Sequence, residues 1–358
     1  MSASKDAPTT HTSVDLVDLD TVRTWMDKVH LGDGPITNAK AIGGGTQNIM
    51  LMFDRAGKTY VLRRGPEHLR PHTNRAILRE MEVLQALGQT DVPHPRFIGG
   101  CDDERVLDGA IFYLMEPIDG FNPGDGLPPL YAENADVRKE AVLRVVDAAA
   151  ALGAVDPRKV GLEDIGSPRG FLERQVERWL TDLEKYQEFD EYRGRKLDGV
   201  SEVAAWLNAN FPKTWKPGLM HGDFHLANVM LRRDRPEVAA VVDWEMCTQG
   251  DPLLDIGWLI ATGADKYGEG LLDNPMVVAG GVPTPAELVE RYSLRTDRDL
   301  SSINWYAVLA CFKLGIVLEG TYARALAGLA PVHIGERLHH HTELLFARAQ
   351  RIIADPPV

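Results

Sequence analysis

The chain has 358 residues, 44% hydrophobic and 25% charged, an ordinary globular balance that is too long for one minimal core and suits two lobes. Its net charge of −13, with no visible basic stripe, argues against a nucleic-acid partner. No run approaches the eighteen or so apolar residues of a membrane span, and the polar opening MSASKDAPTTHTS carries no signal-peptide core. The expectation is a loose N-terminal tail on a soluble, cytoplasmic chain, a monomer or homodimer with no membrane partner. Cys101, Cys247 and Cys311 are scattered and make neither a disulfide framework nor a metal-binding pattern.

Residues 15–30 place Val22, Trp25, Met26 and Val29 at helical spacing behind an acidic start. Short strand-like runs follow at 36–42, 47–53 and 59–64, the last two joined by a hairpin turn over Asp54–Lys58. A helix is predicted over 73–87, with Ile77, Leu78, Met81, Leu84 and Leu87 on one face and Gly88 at its end. Two more strands read at 96–101 and 110–118. The segment 117–129 is rich in proline, glycine and aspartate and marks a junction. Beyond it the pattern is mostly helical, with amphipathic stretches at 132–153 and 171–187, two long helices at 303–328 and 335–353, and a capping box at Thr284-Pro285-Ala286-Glu287. Two short strands interrupt the helices, at 228–232 and 238–244. The resulting division is a tail and helix over 1–29, an N-lobe over 30–116 and a C-lobe over 117–358.

The strongest chemical signal is His221-Gly222-Asp223, with Asn228 five residues after Asp223 and Asp243-Trp244-Glu245 at the end of the next apolar run. Phosphoryl transfer needs a carboxylate that orients an attacking hydroxyl and accepts its proton. It also needs hard oxygen ligands that hold Mg²⁺ on the phosphates. Asp223 suits the first role, and Asn228 and Asp243 suit the second. The pattern parallels the H-R-D-x-x-x-x-N loop and D-F-G of protein kinases. It lacks the Arg, the Phe-Gly and any A-P-E segment, which sets protein kinases aside.

These residues resemble the signature of the aminoglycoside phosphotransferase and choline kinase superfamily, a likeness that extends over roughly residues 30–350. It implies an α+β, two-lobed kinase-like fold, with an antiparallel sheet in a small N-lobe and a larger helical C-lobe. It also implies ATP and Mg²⁺ as cofactors and a small-molecule hydroxyl as acceptor. Gly43-Gly44-Gly45-Thr46 lies between two strands and can bring backbone N–H groups to phosphates. The family usually has lysine where this chain has Arg63. Arginine is permanently charged and grips phosphate in bidentate fashion. The resemblance pairs Arg63 with Glu80 rather than the neighbouring Glu82. It also matches Tyr113–Gly120 to the hinge between lobes, where backbone groups of Glu116 and Ile118 would meet adenine.

Three segments, 171–179, 242–257 and 319–328, narrow the likeness to the kinase-like domain found with acyl-CoA dehydrogenases and its stand-alone bacterial relatives. This favours a hydroxylated metabolite, such as a hydroxyacyl compound, over an aminoglycoside. Trp179, Tyr322 and Arg324 are expected near the acceptor. A nucleotide-binding pseudokinase or regulator with little turnover is the alternative, and Arg63 in place of lysine is its one support. His339-His340-His341 is set aside as a metal tract, because consecutive helical residues point about 100° apart. His221 is expected to shape the loop by hydrogen bonding, His225 to lie near the substrate, and Asp255 to brace the loop.

Overall fold

The computed structural model describes residues 14, 16–42, 48–69, 71–271 and 273–358. The chain divides into two compact units. One comprises residues up to 88 with 94–118, and the other residues 89–93 with 119–358.

The first unit contains α1 (Leu19–Lys28), β1 (Thr37–Ala41), β2 (Ile49–Arg55), β3 (Lys58–Arg64), α2 (Thr73–Leu87), β4 (Phe97–Cys101) and β5 (Phe112–Met115). Asp18 caps α1 by accepting from the backbone N–H groups of Asp20 and Thr21, as a short acid at a helix start does. The five strands form one antiparallel sheet in the order β1-β2-β3-β5-β4. Ala56 and Gly57, both at positive φ, make the two-residue hairpin between β2 and β3 that matches strand twist.

Strand alternation assigns the two sheet faces. Leu51, Phe53, Tyr60, Leu62, Phe112 and Leu114 form a core with Val22, Trp25 and Met26 of α1. The helix set apart with the tail in the sequence reading therefore packs into the sheet's own core. Arg63, next to Leu62, points to the opposite face and meets α2 there. The buried side of α2 is Ile77, Glu80, Val83, Leu84 and Leu87. It is rotated from the predicted stripe, because the inward Glu80 has a cation to meet, whereas Leu78 and Met81 are only half-buried.

The second unit continues with α3 (Pro129–Glu133), α4 (Ala135–Ala154), α5 (Gln175–Lys185), α6 (Val200–Ala209), β6 (Gly218–Met220), β7 (Val229–Leu231), β8 (Val238–Val241) and β9 (Thr248–Gly250). It ends with α7 (Leu253–Thr262), α8 (Pro275–Val278), α9 (Pro285–Ser293), α10 (Ile303–Leu326) and α11 (Val332–Ala354). The predicted helix over 132–153 is split: Asn134 ends α3 and caps α4, its side chain accepting from Asp136 and Val137 N–H. The capping box at Thr284 and Glu287 forms as read.

Helix α10 runs through the core against α7 and α11. Gly257 permits the close approach to α7, since a Cβ there would lie 2.5 Å from the Tyr306 carbonyl oxygen. By length and composition α10 could cross a membrane, contrary to the sequence reading, but 83% of its apolar window is buried inside this unit. Two antiparallel ribbons, β6-β9 and β7-β8, supply the loops that carry the candidate site.

Candidate active site

The loop from His221 to Asn228 leaves β6 and enters β7, and Asp243 directly follows β8 and Val242. Asp255, one turn into α7 and 1% exposed, holds the start of the loop. Its two carboxylate oxygens accept from His221 N at 2.7 Å and Gly222 N at 3.0 Å. Burial pushes the Asp255 carboxyl up to about 7, against the lowering effect of those two N–H bonds and of the Lys313 charge.

His221 is fully buried and its ring fixes two points. Its Nε2 lies 2.9 Å from the Val242 carbonyl, and its Nδ1 accepts from Asp223 N at 3.3 Å. That pattern requires a neutral ring with the proton on Nε2. Burial agrees, lowering the imidazole below its ordinary value despite the raising effect of Asp223. Gly222 adopts φ +87°, and a Cβ there would meet the Met246 carbonyl oxygen at 2.6 Å. Only glycine fits this turn.

These restraints present Asp223, whose side chain keeps 31% exposure. Burial alone would raise its carboxyl. The His225 hydrogen bond and then the charges of His225 and Lys313 outweigh that and hold it at about 2. So acidic a carboxyl is a weak base toward a neutral alcohol. Ionised, it can accept a hydrogen bond from a hydroxyl and so orient it.

Asn228 Nδ2 donates to the Asp223 carbonyl at 2.9 Å and to its Oδ2 at 3.1 Å. With the amide nitrogen so used, Oδ1 is the atom Asn228 offers a cation. Asp243 adopts φ 68°, ψ 63°, a left-handed conformation that is costly outside glycine and characteristic of functional positions. The Asn228 carbonyl accepts from Val242 N at 2.9 Å, which ties the two segments together. An amide oxygen and a carboxylate so linked fit a hard divalent cation such as Mg²⁺ that draws its remaining ligands from phosphate and water.

In the first unit, Arg63 Nη2 lies 2.8 Å from Glu80 Oε1, with side chains 12% and 2% exposed. Tyr113, directly across the β3-β5 ladder from Arg63, places its hydroxyl 3.4 Å from Glu80 Oε2. Glu82 is exposed, which decides between the two candidate acids. Glu116 N–H is taken by the Arg96 carbonyl at 2.9 Å, so only its carbonyl can serve as an acceptor for a ligand. Ile118 ends the unit three residues after β5. Gly43, Gly44, Gly45 and Thr46 lie outside the described residues.

A cavity of about 350 Å³ opens beside the loop of the second unit, lined by His225, Leu226, Leu314, Leu318, Arg337 and His341 among others. It reaches the site through His225, whose Nε2 is 3.5 Å from Asp223 Oδ2. Burial lowers His341 below its ordinary value, against the raising effect of Asp273, so Arg337 is the standing cation of this wall. Trp179, Tyr322 and Arg324, expected near the acceptor, do not line the cavity. Trp179 is core, Tyr322 stacks on His339 at 4.3 Å, and Arg324 bonds Thr321. The three consecutive histidines diverge, with His339 2.7 Å from Glu319 and His341 3.6 Å from Asp273.

Sequence reasoning missed Arg337, His341 and Lys313. Only Lys313 left a signal, as a single cation inside the apolar run of α10.

A family model described as "Phosphotransferase enzyme family" matches residues 38–288. Acyl-CoA dehydrogenase family member 11 of Homo sapiens is 30% identical over 300 residues, 79% of this chain and 36% of that protein. Acyl-CoA dehydrogenase family member 10 of Mus musculus is 28% identical, over 80% of this chain and 26% of that protein. The chain thus spans about a quarter to a third of the length of these relatives. Among solved structures, a candidate aminoglycoside phosphotransferase of Ralstonia eutropha aligns with TM-score 0.75 at 27% identity, covering 94% of this chain and 99% of that one. A thermostable mutant of aminoglycoside phosphotransferase APH(4)-Ia, in ternary complex with ADP and hygromycin B, aligns with TM-score 0.57 at 14% identity, covering 92% and 98%. The latter likeness is one of fold: an antiparallel five-stranded N-lobe sheet and a larger helical C-lobe, as in kinases.

Proposed function

We propose, from the premise that this chain belongs to the phosphotransferase enzyme family, that it moves the γ-phosphoryl group of ATP to a hydroxyl of a small molecule. The observation that carries the reading is the locked set of Asp223, Asn228 and Asp243. Asn228 bonds the Asp223 carbonyl and carboxylate, and its own carbonyl accepts from the residue before Asp243. This arrangement supports a reading in which one acid serves an acceptor and two oxygen ligands serve phosphate-bound metal. Asp223 would orient the attacking hydroxyl and receive its proton. Asn228 and Asp243 would hold Mg²⁺, whose chemistry is to neutralise charge on the phosphate oxygens. Arg63, braced by Glu80, supplies a permanent cation for the phosphates, and the Glu116 carbonyl and Ile118 N–H would meet the adenine edge.

For the acceptor we favour a hydroxylated metabolite with apolar and anionic parts, such as a hydroxyacyl thioester. The cavity beside His225 supports this, with Leu314 and Leu318 as its apolar wall and Arg337 as its cation. A polycationic aminoglycoside calls for a carboxylate-lined wall, and Asp273 is the one carboxylate among the described lining residues. The test is a side-by-side assay of ADP release with hydroxyacyl-CoA thioesters and with kanamycin-type aminoglycosides. Efficient turnover of the thioesters supports the proposal. Turnover of the aminoglycosides alone overturns the acceptor class and leaves the phosphotransferase reading standing.

A further inference from the structure

Lys313 sits mid-helix in α10, where its neighbours Cys311, Phe312 and Ile316 are fully buried and it is itself 6% exposed. An ammonium so placed costs several kcal/mol unless it is compensated, so its partners indicate why it is there. Its Nζ donates to the Gly222 carbonyl at 2.5 Å. It also faces two indole rings, 5.0 Å from the Trp258 centroid and 5.6 Å from that of Trp179. Desolvated cation–π contacts of this kind stabilise a buried ammonium. They hold the ammonium in place without giving it a second polar target.

The Gly222 carbonyl belongs to the peptide whose N–H is that of Asp223. The same N–H is held by His221 Nδ1, and the preceding peptide is held by Asp255 through Gly222 N–H. Both peptide planes on either side of Gly222 are thus fixed by side chains. Lys313 supplies the only carbonyl-side restraint among the described residues. The Trp258 ring also lies 5.9 Å, between centroids, from that of His225, and His225 contacts Asp223. Burial lowers the Lys313 ammonium to about 8, opposed by the charges of Asp223 and Asp255, so it is largely protonated at neutral pH.

We infer that Lys313 is a positioning residue for phosphoryl transfer, its caged ammonium clamping the Gly222–Asp223 peptide so that the Asp223 carboxylate is aimed before an acceptor arrives. This rests on the role proposed above for Asp223. The residue itself touches neither nucleotide nor acceptor. Loss of the clamp therefore lowers kcat and leaves nucleotide affinity alone.

The test uses the full chain with Lys313→Met, which keeps the volume and removes donor and charge, and Lys313→Arg, which keeps both. Two readouts are taken: steady-state kinetics with ATP, and hydrogen exchange of the amides in residues 218–228. For Lys313→Met we expect kcat to fall about 100-fold, the cost of an ångström-scale misplacement, with nucleotide Kd changed less than about threefold. Exchange should quicken at Gly222, Asp223 and Phe224 and stay unchanged in α4 and α9, and Lys313→Arg should recover part of both effects. If Lys313→Met does not fold, Lys313→Arg carries the test, with exchange quickened at the same amides to a smaller extent and a smaller kcat loss expected. Unchanged exchange in the loop, or a kcat within about threefold of the parent at equal folded fraction, overturns the inference. If the parent itself turns over no ATP, the phosphotransferase reading fails on that result, and the exchange readout still decides whether Lys313 clamps the loop.

Discussion

Asp255→Ala removes both acceptors at the start of the catalytic loop. His221 N and Gly222 N, bonded at 2.7 and 3.0 Å in the buried interior, would be left without them. A buried donor left unsatisfied costs about 1–3 kcal/mol, so the pair costs about 2–6 kcal/mol. Set against a typical domain stability of about 5–15 kcal/mol, this is a large fraction. Asp255→Asn keeps one acceptor and should lose about half as much. Urea unfolding followed by tryptophan fluorescence reads the change as a shift in midpoint at constant slope. Turnover of the variant, measured where it is still folded, should also fall, because Asp223 follows the loop. A pH signature accompanies the effect. The folded carboxyl sits at about 7 against 3.8 for an ordinary aspartate, so the folded state binds the extra proton between those values. Relative to Asp255→Asn, the parent's stability should be greatest below the lower value and decline as pH rises through the upper one. An Asp255→Ala variant within about 1 kcal/mol of the parent, with unchanged turnover, would refute the claim that this carboxylate holds the loop.

Three further outcomes follow from the geometry. Asp223→Ala should lower turnover by about 10²–10⁴-fold while nucleotide binding by calorimetry survives, whereas Asp243→Ala should also weaken binding of the Mg²⁺–nucleotide complex. Arg63→Ala takes the 2.8 Å partner from a Glu80 that is 2% exposed. It should destabilise the fold by about 3–5 kcal/mol and weaken ATP binding, and Arg63→Lys should retain part of both, as thermal shift with and without ATP will tell. Thr284→Ala should cost about 1 kcal/mol in urea unfolding by breaking the capping box. The Lys139 hydrogen bond, then the Thr284 backbone, holds Glu287 below its ordinary 4.5, so that acid's contribution is present above pH 4.5 and lost as pH falls through its lowered value.

The parts of the fold that read clearly from sequence are those where one local rule acts alone. The β2-β3 hairpin shows two strand-like runs around the tight turn at Ala56-Gly57, and Thr284-Pro285-Ala286-Glu287 is a complete cap in four letters. Strands β6 and β9 have three residues each, too few to display a period, and their pairing is set by the loop they frame. The buried face of α2 departs from its apolar stripe because it includes Glu80, which apolar periodicity does not register. Its burial is dictated by Arg63, seventeen residues away and on another element. The proposed roles of Asp223, Asn228 and Asp243 could be framed from sequence because the three lie in a contiguous motif and at one strand end. Lys313, Arg337 and His341 come from helices about 90 or more residues downstream, so only the packing of α10 and α11 brings them to the loop. For α10, local apolarity suits a membrane as well as a core, and the choice rests with the partners that bury it.

The account's central claim is tested most directly by following the γ-phosphorus of ATP by ³¹P NMR, in the presence of Mg²⁺ and a panel of hydroxylated metabolites, with the parent chain and with Asp223→Ala. The account predicts that the parent moves the γ-phosphoryl signal into a phosphate monoester of one acceptor, and that Asp223→Ala binds the nucleotide yet leaves the signal in ATP. A parent chain that binds ATP and never consumes it, with any acceptor or with water, would contradict the account and mark the protein as a nucleotide-binding regulator.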